Sequence, residues 1–210
     1  AGDAARVKQM LVIDPNLANA RAESGASAMM TAIYHGKSEV RDLLLERGAQ
    51  LNIHEAAAAG KSEHVAALAA QNPAAINSFA ADGFTPLALA AFFGQRDVAQ
   101  WLLANGADVN AIAQNPMGYT PLTGAVARGD TEIVRLLLSN GANSAHRYGA
   151  GYSALHEAAA GGKLEIAKLL LDHGADSSAR TDDGQTPLSM AESKGQAEAA
   201  ALLRQRGATS

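Results

Sequence analysis

The chain has 210 residues, 48 % of them apolar but only 4 % aromatic, with a formal charge of −4 and no cysteine. Acidic and basic residues are interspersed, so no polybasic run exists to neutralise nucleic-acid phosphates or anionic lipid, and without cysteine there is no disulfide framework, thiolate nucleophile or thiolate metal site. No apolar stretch approaches the roughly 20 residues that span a bilayer and the first residues lack the layout of a secretory signal, so the expectation is a cytoplasmic chain with no membrane insertion.

Abundant alanine and leucine favour short packed helices over a sheet sandwich. Residues 1–20 read as one helix bearing Val7, Met10, Leu11, Val12 and Ile13, closed by Asp14-Pro15. It looks like the second helix of a partial unit whose first helix is absent, so a covering element upstream of Ala1 is expected. Residues 21–50 contain "GASAMMTAIYHGKSEVRDLLLERGA", two helices separated by a glycine. Residues 51–77, "LNIHEAAAAGKSEHVAALAAQNPAAIN", again hold two helices, the second ended by Asn72-Pro73. Residues 78–110 carry "GFTPLALAAFFGQRDVAQWLLANGAD", in which Trp101 stands in a leucine position and reads as core.

The unit at 111–143 shows the local logic best. Thr120 can cap a helix and Pro121 suits its first turn, where no backbone donor is needed. Gly129 ends that helix. Thr131 then reads as the cap of a second helix, whose Ile133, Val134, Leu136, Leu137 and Leu138 form a broad apolar face. Gly141 stops it by adopting a left-handed conformation. Residues 144–176 repeat the scheme with "GYSALHEAAAGGKLEIAKLLLDHGAD", and 177–210 with "GQTPLSMAESKGQAEAAALLRQRGA". In that last unit Arg204 replaces a third leucine, as suits a C-terminal capping unit with a wet outer face.

The leucines at 87, 122, 155 and 188 are spaced by 35, 33 and 33 residues. That period and the Thr-Pro-Leu stretches resemble the ankyrin-repeat family, whose unit is 33 residues with a T-P-L-H-x-A signature. The resemblance runs along essentially the whole chain. It implies an all-α repeat solenoid, elongated and curved, in which neither helix of a unit buries its apolar face alone and neighbouring units must stack. It also implies that each connection between units folds into a β-hairpin finger. Family partners are usually gripped by the fingers and by the ends of the first helices, which together line a concave face.

One connection is too short. From Gly141 to Leu155 and from Gly174 to Leu188 the separation is 14 residues, whereas Gly48 to Ile53 is 5. The difference of nine is the size of a finger. The finger at "DVNAIAQNPMGYT" is instead longer by two residues. Both helices of the fingerless unit remain, so the stack is expected to survive. Either the deletion is a harmless loop loss, or it opens a notch beside Tyr34 and His35 that a partner element enters.

No catalytic constellation emerges. His54-Glu55 and His156-Glu157 open like a zinc-protease H-E-x-x-H motif, but the second histidine is missing in both. Each occupies the histidine position of the repeat signature, where bonding to neighbouring backbone or hydroxyl groups is expected. No phosphate-binding glycine loop occurs, and Asp176, Asp182 and Asp183 lack the ligand order of a calcium loop. No cofactor or metal is implied.

The aromatic residues are informative. Of the nine in the chain, Phe84, Tyr119 and Tyr152 stand between a finger glycine and the following helix cap, Tyr148 begins a finger, and Tyr34, Phe92 and Phe93 close first helices. These seven fall where the family binds. Large amphipathic rings supply much of the energy at interface centres, so Tyr34, His35, Phe84, Phe92, Phe93, Tyr119, Arg128, Tyr148 and Tyr152 are the candidate partner-binding residues. Against this, the finger rings could simply stack on one another, and Phe92 or Phe93 could pack into the core. The function expected is a non-enzymatic, monomeric scaffold for protein-protein interaction; the alternative is a targeting or regulatory segment of a larger enzyme or toxin.

Overall fold

The computed structural model describes residues 3–23 and 25–208. A lone helix α1 (Ala4–Ile13) comes first, followed by six helix pairs: α2 (Ala28–Tyr34) with α3 (Ser38–Glu46), α4 (Ile53–Ala58) with α5 (Ser62–Gln71), α6 (Pro86–Phe93) with α7 (Arg96–Ala104), α8 (Pro121–Arg128) with α9 (Thr131–Ser139), α10 (Ala154–Ala160) with α11 (Leu164–Asp172), and α12 (Pro187–Ser193) with α13 (Ala197–Gln205). First helices pack on first helices and second on second along the array. The result is an all-α repeat solenoid. No helix among the described residues is long and apolar enough to cross a membrane.

Local chemistry sets each boundary. Thr85, Thr120 and Thr186 cap first helices with their hydroxyls and a proline follows each, which leaves no stray amide in the first turn. In α9 the cap is Asp130 rather than Thr131: its carboxylate accepts from the Ile133 amide at 3.0 Å and Thr131 is the first helical residue. An aspartate competes well for a cap because its charge also faces the positive end of the helix. Gly129 ends α8 at φ +85°, and Gly141 takes the same angle two residues past the end of α9. Pro15 and Pro73 do more than stop the preceding helices, since each opens a short 3-10 turn, Pro15–Asn19 and Pro73–Asn77.

The core is a continuous seam of leucine, isoleucine, valine and alanine drawn from every unit. Leu44, Leu87, Leu102, Leu122, Leu137, Leu155, Leu170 and Leu188 are all essentially sealed, and burying each such side chain is worth about 1.5–3 kcal/mol. Trp101 is half-buried against this seam. On α1, by contrast, Val12 and Ile13 remain 65 % and 84 % exposed.

The fingers are less regular than the family resemblance implies. Among the described residues only the finger at 147–153 forms a two-stranded ladder, β1 (Arg147–Tyr148) pairing antiparallel with β2 (Tyr152–Ser153). The first finger is closed by a single bridge, Arg21 to Ser27. The others are turns closed across the base by one backbone bond, from Ala80 N to Phe84 O, Ala113 N to Tyr119 O and Thr181 N to Gln185 O, with a second bond inside each turn, from Gly83 N to Ala80 O, Gly118 N to Asn115 O and Gly184 N to Thr181 O. Between α3 and α4 no finger is present: Ala49 and Gln50 lead straight to buried Leu51, and Asn52 caps α4.

Candidate protein-binding groove and the notch beside it

The candidate residues lie on two rows. Along the fingers, Phe84 stacks on Tyr119 at 6.5 Å and 13° between planes, Tyr119 meets Tyr148 at 5.0 Å, and Tyr148 meets Tyr152 at 6.4 Å. Along the ends of the first helices, Phe92 contacts Phe93 edge-on at 5.0 Å, and Phe93 contacts Tyr34 at 5.2 Å. Such pairs add about 0.5–1.5 kcal/mol beyond the area they cover. The rings therefore hold one another as well as facing solvent.

Between the rows runs a groove of about 440 Å³ walled by Tyr34, Phe84, Phe92, Tyr119, Tyr148 and Tyr152, with Thr123, Gly124 and Ala127 of α8 along its floor and Glu157 at one end. Gly124 has no positive φ. Its role is space: a Cβ there would stand 3.4 Å from Phe92 Cβ and 3.6 Å from the Ala88 carbonyl oxygen, so α6 and α8 approach closely and the groove deepens over them.

Exposure divides the set. Tyr34 and Phe92 are 43 % and 42 % accessible, whereas Tyr148 is only 9 %. Tyr148 is thus a wall of the groove, backed by its neighbours, and offers a partner little area of its own. Burial, with a smaller contribution from the Glu157 carboxylate, pushes its phenol well above the ordinary range. Phe93 is half-buried and neither it nor Phe92 enters the core, so the expected core role for one of them is not met; the alanines of α6 already fill that seam. Phe93 and Arg128 do not line the groove. The Arg128 guanidinium instead lies against Gly94, whose φ of +74° ends α6.

The fingerless connection leaves a second hollow of about 700 Å³ between the finger at 21–27 and the finger at 78–84, bordered by Tyr34 and His35 from α2 and floored by Asn52, His54 and Glu55. Glu55 is 1 % exposed. Its Oε2 accepts from the Asn52 amide at 2.9 Å, closing a capping box, and its Oε1 accepts from Arg21 Nη2 at 3.2 Å. At the groove end of the notch, the Tyr34 hydroxyl donates to Asp82 Oδ2 at 2.7 Å. Burial first, and the Asp82 bond second, raise the Tyr34 phenol well above its usual range. Tyr34 thereby reaches across the whole fingerless unit to touch both Asp82 and Phe93, two units on. The small side chains of Ala57 and Ala58 in α4 and the missing finger leave that path open.

The two histidines of the His-Glu pairs are structural. His54 Nε2 lies 3.0 Å from the Ser78 carbonyl oxygen and 3.4 Å from its hydroxyl. His156 Nδ1 accepts from the Ser153 amide at 3.1 Å, and Nε2 lies 3.1 Å from the Gln185 carbonyl oxygen. Each ring thus ties a first helix to the finger that follows.

Sequence reasoning missed a further set of ties. Asn19, Asn77 and Asn110 each use Oδ1 to accept a backbone amide of the next unit, from Gln50, Asp108 and Asn143 at 2.7–2.8 Å. Asn77 and Asn110 also donate to the Gly106 and Gly141 carbonyls. The signal was available: an asparagine recurs six residues past the end of α1, α5 and α7, three times in register. Gln95 and Lys163 perform a similar task on the other side, donating to the Ala58 and Val126 carbonyl oxygens at the ends of neighbouring first helices.

Comparison with known families agrees with this geometry. The family model for ankyrin repeats (3 copies) matches residues 53–113 and 122–209, and that for ankyrin repeats (many copies) matches residues 97–138. The chain belongs to the ankyrin-repeat family. Ankyrin repeats generally mediate protein-protein interaction. No curated protein matches the chain.

Proposed function

We propose that this chain is a non-enzymatic scaffold that recognises a protein partner through the groove between its fingers and the ends of its first helices. The observation that carries the proposal is the convergence of six aromatic side chains from α2, α6 and four finger positions on one open, largely apolar channel. Aromatic-lined clefts with few polar groups are the common form of binding site, and a partner's bulky apolar side chain fits there as an anchor. The rings come prearranged by their mutual contacts, which lowers the ordering cost of association.

The test is selection of a phage-displayed random peptide library against the wild-type protein and against Gly124→Leu, which places a side chain in the channel floor. Selected peptides should share an aromatic or aliphatic anchor, and the plugged variant should lose at least about tenfold in affinity, the loss expected when a buried anchor contact worth about 1.4 kcal/mol is removed. Circular dichroism of the variant should be unchanged. Peptides that bind both proteins equally would place recognition elsewhere.

A further inference from the structure

Every pair of adjacent fingers in the described chain is joined by a backbone hydrogen bond of the same kind. The residue just after each finger's closing position donates its amide to the tip of the preceding finger: Gln114 N to Gly83 O at 2.9 Å, Gly149 N to Met117 O at 2.8 Å, and Asp182 N to Ala150 O at 3.0 Å. The equivalent residue in the finger at 78–84 is Ala81, since Ala80 N closes that finger on Phe84 O. Its preceding finger is the one deleted. Among the described residues, the exposed Ala81 amide has no acceptor.

The opposite wall of the notch tells the same story with a side chain. Arg21, Arg147 and Arg180 occupy equivalent finger positions, and each donates to a carbonyl four residues on, at Gly25, Gly151 and Gly184. Arg147 uses Nη2 to donate to the Arg180 carbonyl of the next finger. Arg21 has no next finger, and its Nη2 falls onto Glu55 in the notch floor while the side chain stays about half exposed. On one wall, then, the Ala81 amide lacks an acceptor among the described residues, and on the other the half-exposed Arg21 guanidinium bonds the notch floor in place of the finger-to-finger bond that Arg147 makes.

We propose that the notch is a docking slot for a projecting tight turn of a protein partner, which enters as a surrogate finger and accepts hydrogen bonds from Ala81 N and Arg21. The chemistry of the occupant follows from the fingers that fill the equivalent spaces, where Asp82-Gly83 and Asp183-Gly184 form the turns: a short Asp-Gly β-turn with exposed carbonyl oxygens. Recognition through main-chain bonds to an unpartnered edge is an established physical mode of peptide binding. The slot rests on the scaffold reading but is separate from the aromatic channel, with Tyr34 and its bond to Asp82 standing between them.

The probe is a backbone-cyclised peptide carrying residues 79–84 of this chain, titrated into the isotope-labelled full chain and followed by amide resonances and hydrogen exchange. Binding should shift the Ala81 amide and slow its exchange. Ala81→Pro removes the donor at the second position of a turn closed by Gly83 N to Ala80 O, a place that proline favours, so the fold is preserved; affinity should drop about five-fold, as for one lost hydrogen bond. Grafting a nine-residue finger after Ala49 should abolish binding and itself protect the Ala81 amide. Gly124→Leu, which plugs the aromatic channel, should leave binding unchanged, so failure of the groove reading and failure of this one are told apart. The proposal is overturned if the probe does not bind, binds the grafted or Ala81→Pro protein as well as the wild type, or shifts only amides around the aromatic channel. A concentration-dependent dimer lost on grafting would likewise overturn it, by making a second copy the occupant.

Discussion

Replacing Glu55 by alanine is expected to destabilise the protein by about 3 kcal/mol, and three contributions of its side chain say why. The bond from the Asn52 amide to Oε2 is charge-assisted, and its acceptor belongs to a residue that is 1 % exposed; its loss leaves a part-buried helix-start amide without a partner, at about 1.5–2 kcal/mol. Removing one methylene adds about 0.8 kcal/mol. The Arg21 pairing looks the most conspicuous of the three, but Arg21 is half in water, so it contributes only about 0–1 kcal/mol. Glu55→Gln keeps an acceptor and the volume and should cost about 1 kcal/mol, and Arg21→Ala should cost less than that. Urea unfolding of the three variants, compared at constant slope, tests the order. If Arg21→Ala is as damaging as Glu55→Ala, the ion pair dominates and the assignment to the capping box is wrong.

In the centre of the array, Leu137→Ala empties a fully sealed position on α9 and should lower stability by about 2–5 kcal/mol, read by the same denaturant titration; a cost under about 1 kcal/mol would mean the units repack freely. His156 is expected to make stability fall in acid. Burial is the main cause that lowers its folded-state pKa, and protonation would put a hydrogen on Nδ1 facing the Ser153 amide. The unfolded chain takes up that proton near pH 6.5 and the folded one only below it, so the contribution is complete above about pH 6.5 and is lost as pH falls from there through the lowered folded value. The stability difference between wild type and His156→Asn should shrink across that window; a difference independent of pH would exclude this linkage.

Much of the architecture was legible in the sequence because its determinants are local. The threonine-proline starts, the glycine stops and the leucine period each act within a single unit, and copies in phase force one register on all the helices. The nine-residue shortage after Gly48 could be counted directly, as could the crowding of rings at finger bases and helix ends. Where local rules competed, the reading erred: Asp130 outbids Thr131 for a cap one residue earlier, and Pro15 and Pro73 begin 3-10 turns that spacing alone does not distinguish from stops. Which rings would end up accessible was not legible either, since Tyr148 and Phe92 occupy equally plausible positions and only contacts from neighbouring units bury one and leave the other open.

What the sequence determined by itself is therefore the repeating unit and its count of helices, because hydrogen-bonded turns and apolar periodicity are settled by residues a few places apart. What the tertiary structure decided is everything that passes between units: the bond from Tyr34 to Asp82 over the fingerless unit, the asparagine ties, the turn of Arg21 onto Glu55, and the unmatched amide of Ala81. Those depend on how far one unit stands from another in space, and that distance is set by the packed thickness of the helices between them.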